Sequence, residues 1–373
     1  MTSTLSSSTA TSTARALVLE APRRLAIRQL PIPDVGDDDG ILAVEACGLC
    51  GTDHEQYTGQ LFPGQAFVPG HEAVGTIIAA GDRALERWGV QIGQRVAVEV
   101  FLSCRECPAC RSGEYRRCER HGLSDMIGFV PVDRSPGLWG GYASHLYLPP
   151  DALLLPVPDG LDPVLATAFN PLGAGIRWGR TVPGTKEGDV VAVLGPGMRG
   201  LSALVAAKEA GAGFVMVTGY GERDRDRLDT ARLFGADLTV DVAVDDPVSA
   251  LRDAAGGFAD VVVDVTAKAP AAFSQALGLA RTGGTVVVAG TRGTPETPGF
   301  SPDMIVYKEL RVVGALGVDA PAYREALDLL ASGRYPFAGL SRGIADLEGL
   351  EHLLMSMAGE GDGPPPLHGV LVP

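Results

Sequence analysis

The segment that most constrains the fold is a glycine-rich turn between a strand-like run and a helical stretch. Residues 195–200 read Gly-Pro-Gly-Met-Arg-Gly, directly after the β-branched run Val190–Leu194 and before a helical stretch that starts at Leu201. Glycines in this context allow a tight turn and let a pyrophosphate approach the helix N-terminus. The competing interpretation is an ordinary glycine-rich turn. The candidate cofactor-binding residues are Gly195, Gly197, Met198, Arg199 and Gly200.

Two different patterns follow one another along the chain. Residues 16–155 carry short β-like runs separated by Gly- and Pro-rich turns, which predicts a mostly β lobe. Between residues 189 and 290, β-branched runs alternate with Ala- and Leu-rich helical stretches, which predicts parallel βαβ units. A chain of 373 residues is long enough for two such domains, so the expected class is α/β. Residues 1–14, almost all Ser, Thr and Ala, are predicted to form a disordered tail.

The strand after the glycine-rich helix predicts the cofactor preference. An acidic residue that holds the adenosine ribose is expected at its end, about 20 residues beyond the glycines, but Gly219 stands there. Arg223 and Arg225 follow, and their guanidinium groups would tolerate a 2′-phosphate. We therefore expect NADP rather than NAD. The alternative is a solvated helix start whose alternating charges compensate each other.

Four of the six cysteines follow one another at short, fixed intervals. Two residues separate Cys104 from Cys107 and Cys107 from Cys110, and seven separate Cys110 from Cys118. Four thiolates at such spacings can close a tetrahedral site, so we predict a structural zinc with no position open to substrate. Disulfides or unligated thiols are the alternatives. A metal site of thiolates suits a reducing compartment, so we expect a cytoplasmic protein.

Two short motifs at turns supply further candidate ligands. Cys50-Gly51-Thr52-Asp53-His54 offers a thiolate, and Gly70-His71-Glu72 offers an imidazole. A catalytic zinc takes three protein ligands and keeps one position for water or substrate. On spacing alone, the cysteine of the first motif and the histidine of the second could equally well be metal ligands or ordinary packed side chains.

Charge and hydropathy exclude some partners. The net charge of −14 opposes binding to nucleic acid, which needs a basic face. No apolar run is long enough to cross a bilayer, so a membrane partner is not expected either.

Taken together, these motifs resemble the zinc-containing medium-chain alcohol dehydrogenase superfamily, which includes alcohol, sorbitol, threonine and glucose dehydrogenases. The resemblance implies a GroES-like catalytic domain at residues 15–180, a Rossmann domain at 181–317, and a return to the catalytic domain at 318–373. It further implies that Cys50 and His71 ligate a catalytic zinc, that Thr52 relays the substrate proton, and that Asp53 supports the His71 imidazole. Glu72 is similar to an acidic residue that approaches or ligates the metal in some members.

The sequence departs from the family pattern at two positions. The third ligand, usually Cys, Glu or Asp, is Asn170 here, whose amide oxygen is a poorer and uncharged donor. Many relatives place a histidine five positions after the first ligand, where this chain has Glu55. His54 precedes it and is an alternative proton acceptor, or else a surface histidine.

The resemblance implies hydride transfer between a small alcohol, polyol or sugar and NAD(P). An NADPH-dependent carbonyl reductase uses the same residues in the opposite direction. A non-catalytic dinucleotide-binding protein, in which Asn170 marks a decayed metal site, is the alternative from another class. Similar proteins form homodimers or homotetramers through the Rossmann domain.

Overall fold

The β-like runs of the first part of the chain form antiparallel sheets. A computed structural model describes residues 12–293 and 296–373. Its strands in the first part are β1 Thr13–Ala21, β2 Arg24–Pro31, β3 Gly40–Leu49, β4 Glu72–Ala80, β5 Arg95–Val98, β6 His145–Leu148 and β7 Leu154–Pro156. The helices there are α1 Gly51–Tyr57, α2 Asp82–Trp88 and α3 Pro108–Arg111.

The alternating segment shows the expected alternation of strands and helices, with further elements before and after it. The strands are β8 Val190–Leu194, β9 Phe214–Gly219, β10 Leu238–Asp241, β11 Ala259–Asp264, β12 Ala280–Val288 and β13 Arg311–Gly314. The helices are α4 Pro163–Ala166, α5 Phe169–Ile176, α6 Met198–Glu209, α7 Arg225–Leu233, α8 Pro247–Ala255, α9 Ala272–Leu279, α10 Asp303–Tyr307 and α11 Ala320–Ser332. Strand β14 Arg342–Ala345, helix α12 Leu350–Met357 and strand β15 His368–Leu371 follow.

The chain divides into two compact units. The first contains residues up to 157 together with 343–362 and 369–373, and the second contains 158–342 and 363–368. In the first unit, β1 pairs with β2, and a larger sheet has the strand order β14-β15-β3-β4-β5-β7. Strand β3 is central to this sheet. Its first residues, 40–43, pair with β6, and its last, 47–49, pair with β15.

The second unit contains a parallel sheet with the strand order β10-β9-β8-β11-β12-β13. Its order reverses between β8 and β11, which is the switch point where a doubly wound sheet binds its ligand. Buried apolar side chains of β8, β9, β11 and β12, among them Ala192, Met216, Val262 and Val286, form its core. The α/β class, with one mostly antiparallel and one parallel unit, is confirmed.

The domain boundaries of the structure differ from the predicted ones. Residues 158–180 and 318–342 belong to the second unit, whereas the sequence placed them in the catalytic domain. Side-chain contacts within that unit explain the difference. The Trp178 indole N–H donates to the carbonyl of Gly317 at 3.0 Å, and Arg180 pairs with Glu325 at 2.5 Å. Local sequence patterns do not report such pairings between distant segments.

The predicted tail of residues 1–14 extends too far. Residues 1–11 lie outside the described residues, but Thr13 and Ala14 belong to β1 and pair with β2 at Pro31 and Leu30. Ala14 is fully buried, so its small apolar side chain is part of the core rather than of a tail. No helix in the described part of the chain is both long and apolar enough to cross a membrane.

Candidate active site and metal centres

The Cys50 thiol and the His71 imidazole, predicted as ligands, face each other in the first unit. The distance between Cys50 Sγ and His71 Nε2 is 3.2 Å. A tetrahedral zinc with ordinary Zn–S and Zn–N bonds would separate the two atoms by about 3.6 Å, so small side-chain shifts suffice to admit the ion. Together with a carboxylate oxygen of Asp53, these atoms form a group in which all members lie within 4.8 Å of one another.

Helix α1 fixes the thiolate end of this group. Cys50 is its N-cap, and Asp53, three residues later, accepts a hydrogen bond from the Cys50 backbone N–H at 2.8 Å. The other oxygen of Asp53 lies 3.5 Å from His71 Nδ1. Asp53 is almost fully buried, and its carboxylate lies on the Nδ1 side of the ring whose Nε2 faces the thiol. The predicted support of His71 by Asp53 is consistent with this arrangement.

A close backbone approach holds His71. Gly70 has a φ of +91°, and an added Cβ would lie 2.4 Å from the Tyr142 ring. The Gly141 N–H donates to the carbonyl of Gly70, which joins the two segments. On its other side, the His71 ring packs against Phe129, with 5.6 Å between ring centroids. Tyr142 packs against Gly70, the residue before His71, and has no distinctive sequence context that would mark it as part of the site.

The other predicted residues of this site lie in several places. Thr52 is in the first turn of α1 and is partly exposed. Glu72, the first residue of β4, is buried, and its carboxylate lies near Gly48 rather than in the group of Cys50 and His71. Asn170 lies on α5 in the second unit, where its amide nitrogen donates to the Tyr323 hydroxyl at 2.9 Å. The roles of these three residues remain predictions.

His54 is buried, and its side chain contacts a later segment of the same unit. His54 Nε2 lies 2.8 Å from Glu360 Oε1, and Arg23 binds the same carboxylate at 3.0 Å. The hydrogen bond from Arg23, followed by that from His54, lowers the pKa of Glu360 to about 2. His54 is therefore not an isolated surface histidine, and its suggested role as a proton acceptor remains a prediction.

The four-cysteine loop has the geometry of a second metal site. The sulfur atoms of Cys104, Cys107, Cys110 and Cys118 all lie within 4.8 Å of one another, and none of the six cysteines forms a disulfide. The Cys104 and Cys110 sulfurs are 3.7 Å apart, close to the edge of about 3.8 Å expected for a tetrahedral zinc–thiolate site. Zinc therefore fits these residues better than a disulfide does.

The backbone of the loop favours a thiolate at one position and burial opposes it at another. Backbone N–H groups, first that of Cys107, lower the pKa of Cys104 to about 6, whereas burial raises the pKa of Cys110 to about 12. A bound cation would remove this difference, because metal ligation deprotonates a thiol outright.

The buried carboxylate of Glu99 accepts a hydrogen bond from the Tyr115 hydroxyl at 2.6 Å and so joins the loop to β5.

The candidate cofactor residues lie at one edge of the parallel sheet. Gly195 follows β8, and Gly197 is the N-cap of α6, whose first residues are Met198, Arg199 and Gly200. Arg199 lies over the Trp178 ring at 5.4 Å. Gly219 ends β9, and the largely exposed side chain of Arg223 follows it. Arg225 forms an ion pair with Glu222.

Known families match both units. The family described as "Alcohol dehydrogenase GroES-like domain" matches residues 36–159, and that described as "Zinc-binding dehydrogenase" matches residues 200–332. A Mycobacterium tuberculosis protein named "Probable alcohol dehydrogenase adh" is 71% identical over 96% of this chain and 98% of its own length. Sorbitol dehydrogenase of Bacillus subtilis is 30% identical over 86% of each chain.

A solved structure shares the same architecture. An NADP-bound protein from Sinorhizobium meliloti 1021, described as a zinc-binding dehydrogenase, is 29% identical and covers 97% of this chain with a TM-score of 0.82. A GroES-like unit with two candidate metal centres, together with a Rossmann unit, defines a zinc-binding dehydrogenase. The chain belongs to the zinc-containing medium-chain alcohol dehydrogenase superfamily. It is therefore an oxidoreductase that uses zinc and a nicotinamide dinucleotide, and the non-catalytic alternative is not favoured.

Proposed function

We propose that this enzyme oxidises a small alcohol or polyol to the corresponding carbonyl compound, with hydride transfer to NADP. The observation that carries this proposal is the Cys50–His71 pair, whose sulfur and Nε2 atoms face each other at 3.2 Å with Asp53 behind the imidazole. The names of the relatives, alcohol dehydrogenase and sorbitol dehydrogenase, support the substrate class. The carbonyl reductase alternative is the same reaction in reverse.

Each residue of the site has a separate role in the proposed reaction. Cys50, His71 and, by resemblance, Asn170 would hold zinc, with Glu72 as a replacement ligand if Asn170 does not bind. Zinc in this position supplies a Lewis acid that lowers the pKa of the alcohol hydroxyl. Asp53 keeps the His71 imidazole in one orientation, and Thr52 accepts the hydroxyl proton and passes it towards solvent. The glycine-rich turn at residues 195–200 fixes the pyrophosphate and so orients the nicotinamide for the hydride.

The test of this proposal combines turnover with metal counting. The purified enzyme is assayed on primary and secondary alcohols, polyols and sugars with NADP and with NAD, and its zinc content is measured by atomic emission. We expect turnover of at least one alcohol or polyol and two zinc ions per chain. A protein with one zinc ion and no turnover of any substrate in the panel would contradict the proposal.

The end of β9 supports NADP as the cofactor. An added Cβ at Gly219 would lie 3.0 Å from Asp224 Cβ, so a side chain there requires Asp224 to move. The Asp224 carboxylate is buried, and it accepts a hydrogen bond from the Tyr220 backbone N–H at 3.0 Å and another from Arg227 at 3.2 Å. Its charge is therefore compensated within the turn. Arg223, with 73% of its side chain exposed, is the candidate partner of the 2′-phosphate.

Replacing Arg223 with alanine should therefore raise KM for NADP selectively. A hydrogen bond between charged groups contributes about 1.5 kcal/mol or more, so KM for NADP should rise about tenfold while KM for NAD stays within twofold. Steady-state kinetics with both cofactors measures the ratio. Arg232→Ala is the control, because Arg232 is an exposed arginine on α7 that pairs with Asp229. An unchanged cofactor ratio in Arg223→Ala would show that the arginines are only a solvated face.

We also propose a homodimer formed through the edge of the parallel sheet. Strand β13 is paired on one side by β12, and in the described residues no strand pairs with its other side. Large apolar side chains near this edge are exposed: Val306, Tyr307, Val312 and Leu316. An apolar, unpaired edge strand readily pairs with a second copy of the same chain.

Charges placed at this edge should separate the copies. The double variant Val312→Lys/Leu316→Lys is expected to sediment as a monomer, because like charges that face each other across a two-fold interface repel and disfavour strand pairing. Sedimentation velocity at several concentrations gives the mass. The control is Ile92→Lys, an exposed apolar residue of the first unit. If the natural chain is monomeric, or if the double variant keeps its mass, β13 is not the interface; a natural tetramer would need a second interface.

The cysteines support a cytoplasmic location. None of the six cysteines forms a disulfide, which suits a reducing compartment.

A further inference from the structure

A buried carboxylate lies at the carboxyl edge of the parallel sheet, beside the glycine-rich turn. Asp264 is the last residue of β11 and is in register with Leu194 of β8 on one side and with Val288 of β12 on the other. Its side chain is completely buried. The backbone carbonyl of Asp264 accepts hydrogen bonds from the N–H groups of Ala289 at 2.9 Å and Gly290 at 3.1 Å. Asp264 therefore joins the ends of three neighbouring strands.

The two carboxylate oxygens of Asp264 have different partners. One accepts hydrogen bonds from the Thr266 hydroxyl at 2.6 Å and the Thr266 backbone N–H at 3.1 Å. The other forms an ion pair with Arg292, whose side chain is only 11% exposed. Burial raises the pKa of Asp264. A buried charge is costly unless it is paired, so the ion pair with Arg292, together with the hydrogen bonds from Thr266, favours the charged form of this carboxylate and holds it in place.

Thr266, the residue held by this carboxylate, packs between two glycines. An added Cβ at Gly195 would lie 3.3 Å from Thr266 Cγ2, and one at Gly290 would lie 2.0 Å from the Thr266 carbonyl oxygen. Arg292 also donates a hydrogen bond to the Gly290 carbonyl at 3.2 Å, so the same side chain contacts both Asp264 and the backbone beside Thr266. A shift of Thr266 towards either side would therefore press on Gly195, the first glycine of the pyrophosphate turn, or on the backbone after β12.

Sheet topology assigns this edge to one half of the dinucleotide. The adenosine ribose of a dinucleotide lies at the end of the strand that follows the glycine-rich helix, which is β9 in this chain. Since β9 and β11 lie on opposite sides of β8, the nicotinamide half extends over the ends of β11 and β12. These are the strand ends that Asp264 and Arg292 join.

We propose that Arg292 and Asp264 form a positioning pair for the nicotinamide half of the cofactor. The pair acts through Thr266 and Gly290 and leaves the adenosine half unaffected. Neither residue belongs to the glycine-rich motif or to the metal sites. The nicotinamide half is common to NAD and NADP, so the proposal is independent of the preference between them.

The matched control is a second ion pair on the same two strands. Arg281 of β12 binds Asp260 of β11 at 2.6 Å, and the other Asp260 oxygen accepts the backbone N–H of Val190, the first residue of β8. This pair joins the same three strands at their opposite, amino ends. Arg281→Gln therefore removes an ion pair between the same strands without touching the edge that receives the cofactor.

The experiment measures binding separately from activity. Dissociation constants for NADPH and NADH are obtained by fluorescence, and that of ADP, the adenosine fragment that both cofactors contain, by calorimetry, for the natural chain, Arg292→Gln, Arg292→Lys and Arg281→Gln. We expect Arg292→Gln to weaken NADPH and NADH about tenfold each and the fragment less than twofold. Arg292→Lys, which keeps the charge, should recover most of the loss. Arg281→Gln should leave all three constants within twofold, even if it lowers the melting temperature.

Two results would overturn the proposal. One is equal weakening of the fragment and of both reduced cofactors, which would mean a general loss of structure. The other is unchanged binding of all three in a folded Arg292→Gln protein. If Arg292→Gln does not fold, the comparison uses Arg292→Lys, in which a smaller loss must still be confined to NADPH and NADH.

Discussion

Cys50→Ser should lower kcat/KM for alcohol oxidation about a thousandfold and leave one zinc ion per chain. Cys50 provides the thiolate that faces His71 Nε2, and a neutral serine hydroxyl is a much weaker zinc ligand. Loss of the Lewis acid costs several kcal/mol of transition-state stabilisation, and about 4 kcal/mol corresponds to a factor of a thousand in rate. Turnover and zinc content measured on the same preparation test both parts of the expectation.

A matched control lies three residues earlier in the sequence. Cys47→Ser makes the same chemical change at a fully buried thiol of β3 that is not part of the candidate metal group. This variant should keep two zinc ions and most of its activity, with at most a modest loss of stability from a buried hydroxyl. If Cys50→Ser retained two zinc ions and full turnover, the Cys50–His71 pair would not be the catalytic metal site.

Asn170 can be tested with the same measurements. Asn170→Ala should lose the catalytic zinc and most activity, whereas Asn170→Asp should hold zinc more tightly, because a carboxylate is a charged donor. Full activity and two zinc ions in Asn170→Ala would remove Asn170 from the ligand set and leave Glu72 as the replacement candidate.

Cys107→Ser should destabilise the fold and remove the other zinc ion. A closed tetrahedral site couples metal binding to the ordering of its loop, so its loss should cost about 3–5 kcal/mol. For a domain of this size that corresponds to a fall in melting temperature on the order of 10 °C. Scanning calorimetry and zinc analysis measure the two effects. The expected remainder is one zinc ion per chain, in the Cys50–His71 site.

A substitution in the same loop separates metal loss from simple loop damage. Ser112 follows α3, and its hydroxyl donates to the Ala109 carbonyl at 3.1 Å without belonging to the sulfur group. Ser112→Ala should change the melting temperature by less than about 2 °C, as is usual for a surface substitution. An unchanged melting temperature and full zinc content in Cys107→Ser would refute a structural role for the four cysteines.

The features that the sequence could predict are those that depend on residues close to one another along the chain. The four cysteines lie within a few residues of each other, so their convergence follows from the order of the chain. The alternating segment likewise predicts β8, β9, β11 and β12, because each strand is a continuous apolar run. Strand β2, whose side chains are largely exposed, lacks that pattern and was not predicted.

The residues that the sequence could not bring together are far apart along the chain. Tyr142 packs against Gly70, His54 binds Glu360, and Arg292 pairs with Asp264. In each case the contact depends on how separate strands and loops pack in the folded protein. The residues next to either partner in the sequence contain no pattern that predicts it. The contacts of Trp178 with Gly317 and of Arg180 with Glu325, which place residues 158–180 in the second unit, have the same origin.

The pairing of β3 with β15 has a consequence for how the protein is made. The half of β3 that leads into Cys50 pairs with residues 369–371, which are synthesised about 320 residues later. All strands of the parallel sheet lie between β3 and β15 in the sequence. The parallel sheet is therefore complete at a stage of synthesis when this part of β3 is still unpaired. During translation, the parallel sheet can therefore form first. The segment that presents the Cys50 thiol acquires its final neighbour only when the last strand has left the ribosome, and until then its open edge is exposed to aggregation.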